Sequence, residues 1–192
     1  MCIRDSYHSV VQAVLAAERS VWIATANLKE LMVEDPRVRP GKRRTARGSY
    51  RSVIEVFAEL AQRGVELRIL HAGPPSRAFR EELSRHPRLL EGGLVLHQCP
   101  RVHLKAVIVD AAQLYLGSAN WTGAGLGAKG EGRRNFEVGL LTTDELWIDE
   151  LQSMFDELWR GGACGACKLR ELCPAPLDGP APRTAIHLNR LF

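Results

Sequence analysis

"HLKAVIVDAAQLYLGSANWTG", residues 103–123, is the stretch that decides the fold of this chain. It contains two apolar runs, "KAVIVD" and "QLYLGS", which are separated by only two residues. Because parallel strands need a crossover of a dozen or more residues between them, the two runs predict an antiparallel pair. A histidine and a lysine stand at the start of the stretch, and a Gly-Ser-x-Asn turn stands at its end. A plain core strand has no use for such polar ends, so they indicate a functional site.

The chain upstream of this pair alternates between helical and strand patterns. Apolar residues recur at helical spacing in "SVVQAVLAAE" (9–18) and from Tyr50 to Arg63. Short apolar and β-branched runs, typical of strands, are "SVWIATAN" (20–27), "VELRILHA" (65–72) and "GGLVLHQC" (92–99). Helices and strands therefore alternate along the first half of the chain.

The downstream chain adds one strand candidate and one helix. "NFEVGLLTT" (135–143) reads as a strand, and 144–159 reads as an amphipathic helix. The apolar side of that helix is predicted to consist of Leu146, Leu151, Met154, Phe155 and Leu158. Early alternation of helix and strand, followed by clustered strands, predicts an α/β fold in which a mixed β-sheet is flanked by helices on both faces.

Composition limits the number of domains and the class of protein. The 192 residues, 45% hydrophobic and 25% charged, suit one globular domain with a small appendage. We expect this domain to span 7–160 and a Cys- and Pro-rich extension to span 161–192.

Residues 1–6, "MCIRDS", look like a translated adapter remnant, so we expect them to be non-native. No apolar stretch approaches the roughly 20 residues that span a bilayer and no secretory signal is visible, so we expect a cytoplasmic protein.

The polar ends of the hairpin form a candidate binding site for an anion. His103 and Lys105 are two residues apart, so in a strand they point to the same face. Ser118 and Asn120 follow the neighbouring strand and return to the same place. Such a cluster offers a nucleophile and hydrogen-bond donors but no carboxylate pair for a metal, which suits a tetrahedral oxyanion such as phosphate. A lone histidine would more often be a structural rim residue, but a structural hairpin has no reason to specify the whole set.

These residues also carry a resemblance to a known family. His-x-Lys-x4-Asp followed by Gly-Ser-x-Asn resembles the signature of the phospholipase D superfamily, and Glu137 in "NFE" fits the glutamate that follows it. Similarity of organisation runs from about Val10 to Trp159, and the diagnostic residues occupy 103–137. The resemblance implies a phospholipase D-like fold and makes 7–160 the catalytic domain.

The resemblance implies a role for each residue of the site. His103 would attack phosphorus and form a covalent phosphohistidine. Lys105 and Asn120 would bind the non-bridging oxygens, and Ser118 would add a hydroxyl group. Glu137 would accept the far ring N–H of the histidine and fix its tautomer. No cofactor would be needed for this catalysis, because lysine and amide donors take the usual role of a divalent ion.

Two features of the motif need separate interpretation. Asp110 completes the signature and is counted with the catalytic set, but regular alternation puts it on the opposite strand face from His103, so we expect a turn or framework residue.

The family uses two histidines, and this chain has one such motif. We therefore expect a homodimer that shares the site across its two-fold axis. The alternative is that a neighbouring half of the protein is missing from the sequence.

A basic segment and a tryptophan are candidates for contacts with the substrate. The segment from Arg37 to Arg51 contains no acidic residue and is either a solvated loop or a patch for a phosphate-rich polymer. Its candidate contacts, together with a tryptophan that would either stack on a base or pack in the core, are Lys42, Arg43, Arg44, Arg47 and Trp121. With a net charge of +4, a nuclease is the preferred interpretation. The alternatives are a hydrolase or transferase of lipids or small diesters, with membrane contact less favoured, and a silent module that binds nucleic acid.

Cysteines dominate the C-terminal extension. Cys164, Cys167 and Cys173 have the spacing C-x2-C-x5-C, and Cys99 is the natural fourth ligand, ahead of His187. Without a secretory signal, metal binding is favoured over disulfides. We expect a structural zinc in preference to an iron–sulfur cluster, and the alternative is a tail of free thiols.

Overall fold

The structure is a computed structural model, and it describes residues 3–37, 50–126, 128, 132–133, 135–173 and 175–179. The helices in these ranges are α1 (Ile3–Ala16), α2 (Val53–Gln62), α3 (Arg77–Leu83) and α4 (Glu145–Trp159). The strands are β1 (Ser20–Thr25), β2 (Met32–Glu34), β3 (Tyr50–Ser52), β4 (Glu66–His71), β5 (Val95–Gln98), β6 (Ala106–Val109), β7 (Gln113–Gly117) and β8 (Gly139–Thr142). None of the helices in the described part of the chain is both long and apolar enough to cross a bilayer.

Six strands form one mixed sheet in the order β5-β4-β1-β6-β7-β8. The first three of these run parallel to one another, whereas β6, β7 and β8 are each antiparallel to the preceding strand in that order. The predicted hairpin is confirmed as β6 and β7, with Ala106 opposite Leu116 and Val109 opposite Gln113. The remaining two strands, β2 and β3, form a separate antiparallel ribbon.

The sheet is covered on both faces, which confirms the predicted α/β class. On one face, Ile23, Ile69 and Val107 pack in a single apolar core with side chains of α1, α2 and α3. On the other face, Ala106, Ile108 and Leu114 pack against α4. Since neighbouring residues of a strand point to opposite faces, the fully apolar run 106–109 serves both cores.

The buried side of α4 differs in part from the predicted one. Ile148, Leu151 and Phe155 are buried, whereas Leu146 and Met154 are exposed. Residues 148, 151 and 155 follow the helical spacing i, i+3, i+7 and form one narrow stripe. Leu146 is two residues from Ile148, which places it about 200° around the helix, away from the sheet.

An aromatic stack fastens α4 to the sheet. The Phe155 ring lies 5.1 Å from Trp22 and 5.6 Å from Trp159, measured between ring centroids. The Arg68 guanidinium lies over both tryptophan rings, at 4.7 Å from Trp22 and 5.4 Å from Trp159. The same guanidinium pairs with Asp156 of α4 at 3.2 Å. Packing and charge together therefore fix the helix against β1 and β4.

Strand directions bring the ends of several strands to one edge of the sheet. Because β6 is antiparallel to β1, its first residue, Ala106, lies opposite Ala24 near the end of β1. Gly117 at the end of β7 likewise lies opposite Gly139 at the start of β8. A Cβ atom at either glycine would come within 2.5 Å of Tyr115 atoms, so both positions require glycine for this close approach. The segments on either side of these ends carry the motif residues.

Candidate active site

His103 and Lys105 lie side by side in the segment that immediately precedes β6. Sequence reasoning put them inside the strand, but the ladder with β1 begins only at Ala106. The predicted juxtaposition is nevertheless present. Lys105 Nζ lies 3.0 Å from His103 Nε2 and donates a hydrogen bond of 2.8 Å to the His103 carbonyl oxygen.

This contact determines what the imidazole can do. A charged ammonium group can only donate hydrogen bonds, so Nε2 must accept from Lys105 and Nδ1 must carry the ring proton. The lone pair of Nε2 is therefore directed at the Lys105 ammonium group. The lysine side chain is buried, while the histidine is exposed. Burial lowers the pKa of the Lys105 ammonium, and the nearby Glu137 carboxylate partly opposes this effect.

Ser118 and Glu137 contact each other across the end of the β7–β8 ladder. Ser118 Oγ donates a short hydrogen bond to Glu137 Oε2 and accepts the Val138 N–H at 3.0 Å. The other carboxylate oxygen, Oε1, accepts from Asn135 Nδ2 at 3.0 Å. These contacts hold the hydroxyl group and the carboxylate at the same edge of the sheet as Lys105.

The hydrogen bond predicted between Glu137 and the His103 ring is not among the contacts of the described residues. The reason lies in the strand boundary, because β8 begins at Gly139 instead of at the predicted residue 135. Glu137 therefore precedes the strand and turns toward Ser118, which is the first residue after β7. The ring contact that the structure gives to His103 is with Lys105.

Asn120 is oriented by the loop that follows β1. Its Oδ1 accepts the backbone N–H groups of Ala26 at 3.1 Å and Asn27 at 3.0 Å, and lies 3.3 Å from Thr25 Oγ1. Because two backbone donors require an oxygen at this position, the amide NH₂ group must point the other way. It is thereby held as a donor for a bound anion, which is the role that the resemblance implies for Asn120.

Sequence reasoning missed Thr25, which connects this loop to the motif. The buried Thr25 hydroxyl accepts the Trp121 N–H at 2.9 Å and donates to the Asn27 carbonyl oxygen at 2.9 Å. The available signal was a polar residue at the end of an apolar strand, "SVWIAT". That signal becomes specific only when β1 is known to lie beside β6.

Asp110 is a framework residue, in agreement with the interpretation from strand alternation. It has a positive φ of 56° in the turn after β6. Its carboxylate accepts the backbone N–H groups of Glu18, Arg19 and Ser20, at 2.9, 2.7 and 2.8 Å. Partial burial of the carboxyl group opposes ionisation, but these three donors hold the pKa of Asp110 below its ordinary value. The residue thus ties the hairpin to the turn between α1 and β1.

Trp121 is a core residue and cannot stack on a base. Its side chain is 2% exposed and lies against Phe57 of α2, with ring centroids 6.1 Å apart. The assignment to substrate binding is therefore corrected in favour of packing. The cause is the Thr25 hydrogen bond to its backbone, which turns the residue after Asn120 inward.

The basic candidates Lys42, Arg43, Arg44 and Arg47 lie outside the described residues. The ends of their segment are described, and they meet at a buried carboxylate. Asp35 pairs with Arg37 at 2.9 Å and with Arg51 at 3.2 Å, and the hydrogen bond from Arg37 lowers the pKa of Asp35 to about 2. The segment therefore connects β2 to β3, and its two ends are clasped together.

The four cysteines of the predicted metal site line a single cavity of about 110 Å³. Cys99 enters it from the segment after β5, and the other three enter it from the extension that follows α4: Cys164, Cys167 and Cys173. All four are free thiols. His187 lies outside the described residues. The four cysteines that the sequence grouped thus border one cavity, although the described residues contain no group of three or more His, Cys, Asp or Glu side chains that could hold one metal ion.

The Asp110 contacts predict an effect on stability that is separate from activity. Asp110→Ala removes three charge-assisted hydrogen bonds, so we expect the free energy of unfolding to fall by about 2–3 kcal/mol. Activity per folded molecule should persist well below the melting temperature. Denaturant titration and initial rates would be compared with those of Asp149→Ala, an exposed aspartate of α4. Loss of activity at unchanged stability would place Asp110 in the chemistry.

Comparisons with known proteins agree with this fold. A family model described as "Cardiolipin synthase, PLD-like domain" matches residues 10–159. Among solved structures, NucT from Helicobacter pylori has a TM-score of 0.55 at 18% identity over 81% of this chain and 87% of that one. Nuc from Salmonella typhimurium, a phospholipase D family member, has a TM-score of 0.53 at 17% identity over 79% and 85%.

A third similar structure is TrmBL2, an archaeal chromatin protein described as showing a novel mode of DNA binding. Its TM-score is 0.50 at 14% identity, over 82% of this chain and 49% of that one. No curated protein sequence matches the chain. The family match spans most of the chain, including β1, the hairpin and α4. With the motif residues gathered at one sheet edge, it shows that this chain belongs to the phospholipase D-like family of phosphodiesterases.

Proposed function

We propose that the protein is a metal-independent nuclease that works through a phosphohistidine intermediate as a homodimer. The observation that carries this proposal is the 3.0 Å contact between His103 Nε2 and Lys105 Nζ. It supplies a neutral imidazole nitrogen beside a fixed positive charge. The Asn120 amide and the Ser118 hydroxyl lie on strand ends at the same edge of the sheet. The Lys105 ammonium and the Asn120 amide suit a phosphodiester better than a carbonyl substrate, because they offer donors to several oxygens of one tetrahedral centre, while the Ser118 hydroxyl donates to Glu137.

The reaction begins when a phosphate oxygen replaces His103 Nε2 as the acceptor of the Lys105 ammonium group. This exchange frees the Nε2 lone pair of His103, which forms a bond to phosphorus while the bond to the leaving oxygen breaks. Lys105 and Asn120 stabilise the charge that builds on the non-bridging oxygens. Because Ser118 donates to Glu137, the carboxylate orients the hydroxyl group and balances the charge of the lysine. Water then attacks phosphorus, the P–N bond breaks, and the phosphate product leaves.

The leaving oxygen needs a proton, and the proposed source is His103 of the partner subunit, whose imidazole must then start as an imidazolium with a proton on both ring nitrogens. The same imidazole would later take a proton from the attacking water. One chain provides one His-x-Lys motif, so the site is incomplete without a second copy. A surface for that copy lies next to Glu137. β8 is one of the two edge strands of the sheet, and exposed apolar side chains lie just before it, at Phe136 and Val138, and within it, at Leu140.

Apolar side chains on a free strand edge are a liability in a monomer. Their position beside the site suits a shared two-histidine site, because the partner's imidazole must approach the strand ends that carry Lys105 and Ser118. The edge strand thus supports a second copy of this chain as the occupant of the surface. The interface would be isologous, with each protomer lending its histidine to the other.

The composition of the basic segment favours a nucleic acid as substrate. The segment connects β2 to β3, and the loop that leads from β1 to this ribbon contacts the motif, where the Lys29 N–H donates to the Trp121 carbonyl oxygen at 3.1 Å. Arginines and lysines on such a connection suit the regularly spaced phosphates of a polymer. One similar structure, TrmBL2, is described as binding DNA, and this likeness over 49% of that chain supports a nucleic-acid partner.

A second candidate function is hydrolysis or transfer of phospholipid headgroups. The description of the matching family model, a cardiolipin synthase domain, favours it. The same cradle of lysine, amide and hydroxyl groups would serve a lipid phosphodiester. The two candidates differ in the substrate that is turned over, so a direct comparison separates them.

The first experiment offers labelled single- and double-stranded DNA, RNA and cardiolipin-containing vesicles to the protein, with and without EDTA. We expect cleavage of nucleic acid that EDTA does not inhibit. His103→Ala should lower kcat by at least about 10³-fold, while His86→Ala, a histidine near the end of α3, should keep it. Turnover of the lipid alone would reject the nuclease in favour of the second candidate. Inhibition by EDTA would contradict the metal-independent mechanism.

A second experiment tests whether the two subunits share the site. Wild-type and His103→Ala chains are unfolded, mixed in known ratios and refolded, so that dimers form at random. If each reaction needs one histidine from each subunit, activity follows the square of the wild-type fraction. An equal mixture then keeps about one quarter of the activity, compared with about one half for independent sites. Linear dependence on the wild-type fraction would rule out the shared site, and mixtures with His86→Ala serve as the control.

A further inference from the structure

The cavity that the four cysteines line lies between the extension and the catalytic domain. Leu177 of the extension packs in the same apolar cluster as Val102 and Phe155, with Cys99 at its border. Arg170 forms an ion pair with Asp178, which folds the extension back on itself. The cysteines of the tail are therefore brought to Cys99 by apolar packing and charge.

The arrangement of the cysteines does not fit a single metal ion. Among the residues that the structure describes, no three His, Cys, Asp or Glu side chains have the grouping that would hold one ion. Four thiolates around one zinc, at about 2.3 Å each, would put neighbouring sulfurs only about 3.8 Å apart. The cavity measures about 110 Å³, whereas about 10–15 Å³ is enough for one water molecule. The cavity that the four thiols help to line is thus larger than one ion needs.

We propose that a 4Fe–4S cluster occupies this cavity, ligated by Cys99, Cys164, Cys167 and Cys173. Such a cluster binds four cysteine thiolates, and each thiolate bonds a different iron. The thiolates therefore stand farther apart than around one ion, which agrees both with the shared cavity and with the missing single-ion group. Each cysteine gives up its proton when it binds iron, and no oxidant or reductant is needed for ligation.

The surroundings of the cavity suit a negatively charged cluster. Arg101 donates a hydrogen bond to the Cys167 sulfur, and the positive charge of Arg170 acts on Cys164 and Cys167. These cations would offset the charge of the thiolates and the cluster. Apolar side chains, among them Val102 and Leu158, line the remaining wall and limit the access of water.

The cluster would cross-link the extension to the segment that leads into the active site. Cys99 precedes His103 by four residues, and its carbonyl oxygen accepts the Val102 N–H at 2.9 Å. Fixing the Cys99 sulfur therefore restrains the segment that carries the nucleophile. This inference does not depend on the proposed function, since it concerns the folding of the extension.

The test is the iron and sulfide content of the full chain, purified without oxygen and reconstituted with iron and sulfide. We expect about four irons and four acid-labile sulfides per chain, with a broad visible absorption band. Cys99→Ser and Cys173→Ser should each lose most of the iron and the absorption band. Cys2→Ser, which changes a cysteine outside the described residues, should keep both. Far-UV circular dichroism shows whether each variant is folded. The iron and sulfide content of the wild-type protein tests the proposal even if the variants do not fold.

Two results would overturn the proposal. One is a reconstituted wild-type protein that contains no iron, and the other is a protein that holds one zinc per chain and takes up no iron. The same measurement on His103→Ala separates this proposal from the function. That variant should bind the cluster normally and lack activity, so failure of either proposal leaves the other one measurable. Limited proteolysis gives a further readout, because the loaded extension should resist cleavage that the cluster-free one permits.

Discussion

A buried ammonium group in contact with an imidazole nitrogen is the interaction on which this site depends. Lys105 lies 3.0 Å from His103 Nε2, and since it can only donate, it selects the tautomer in which Nε2 carries the lone pair and Nδ1 carries the proton. In the proposed mechanism, the lysine donates first to the histidine and then to the phosphate. Because the Lys105 ammonium group exchanges His103 Nε2 for a phosphate oxygen as its acceptor, the proposed reaction needs no second positive charge to bind that oxygen.

The rest of the fold serves to hold that pair in place. Antiparallel pairing of β1 with β6 sets the loop after Thr25 beside the motif, where it orients the Asn120 amide. Asp110 fastens the other end of β6 to the turn before β1 through three backbone donors. Each strand end is thus fixed by a side chain that accepts backbone hydrogen bonds. These contacts give Asp110, the aspartate of the signature, a structural role.

Sequence patterns predicted the parts of the structure that depend on spacing alone. The short connection between 110 and 113 required a hairpin, and the interval of two residues brought His103 to Lys105. Asp110 was assigned to the framework by strand alternation. Spacing could not give the partner of Glu137, because that depends on the first residue of β8. It also could not show that Trp121 packs inward, because the Thr25 hydroxyl that turns it comes from a distant strand.

The central claim is that His103 Nε2 is the atom that attacks phosphorus, and trapping the intermediate tests it most directly. A rapid alkaline quench during turnover of a labelled nucleic acid, followed by peptide mass spectrometry, locates any covalent phosphoryl adduct. Alkaline conditions are required because a phosphorus–nitrogen bond to histidine is labile in acid. The account predicts an adduct on the peptide that contains His103, which appears and decays with product formation. Turnover with no adduct, or with the label on another residue, would contradict it.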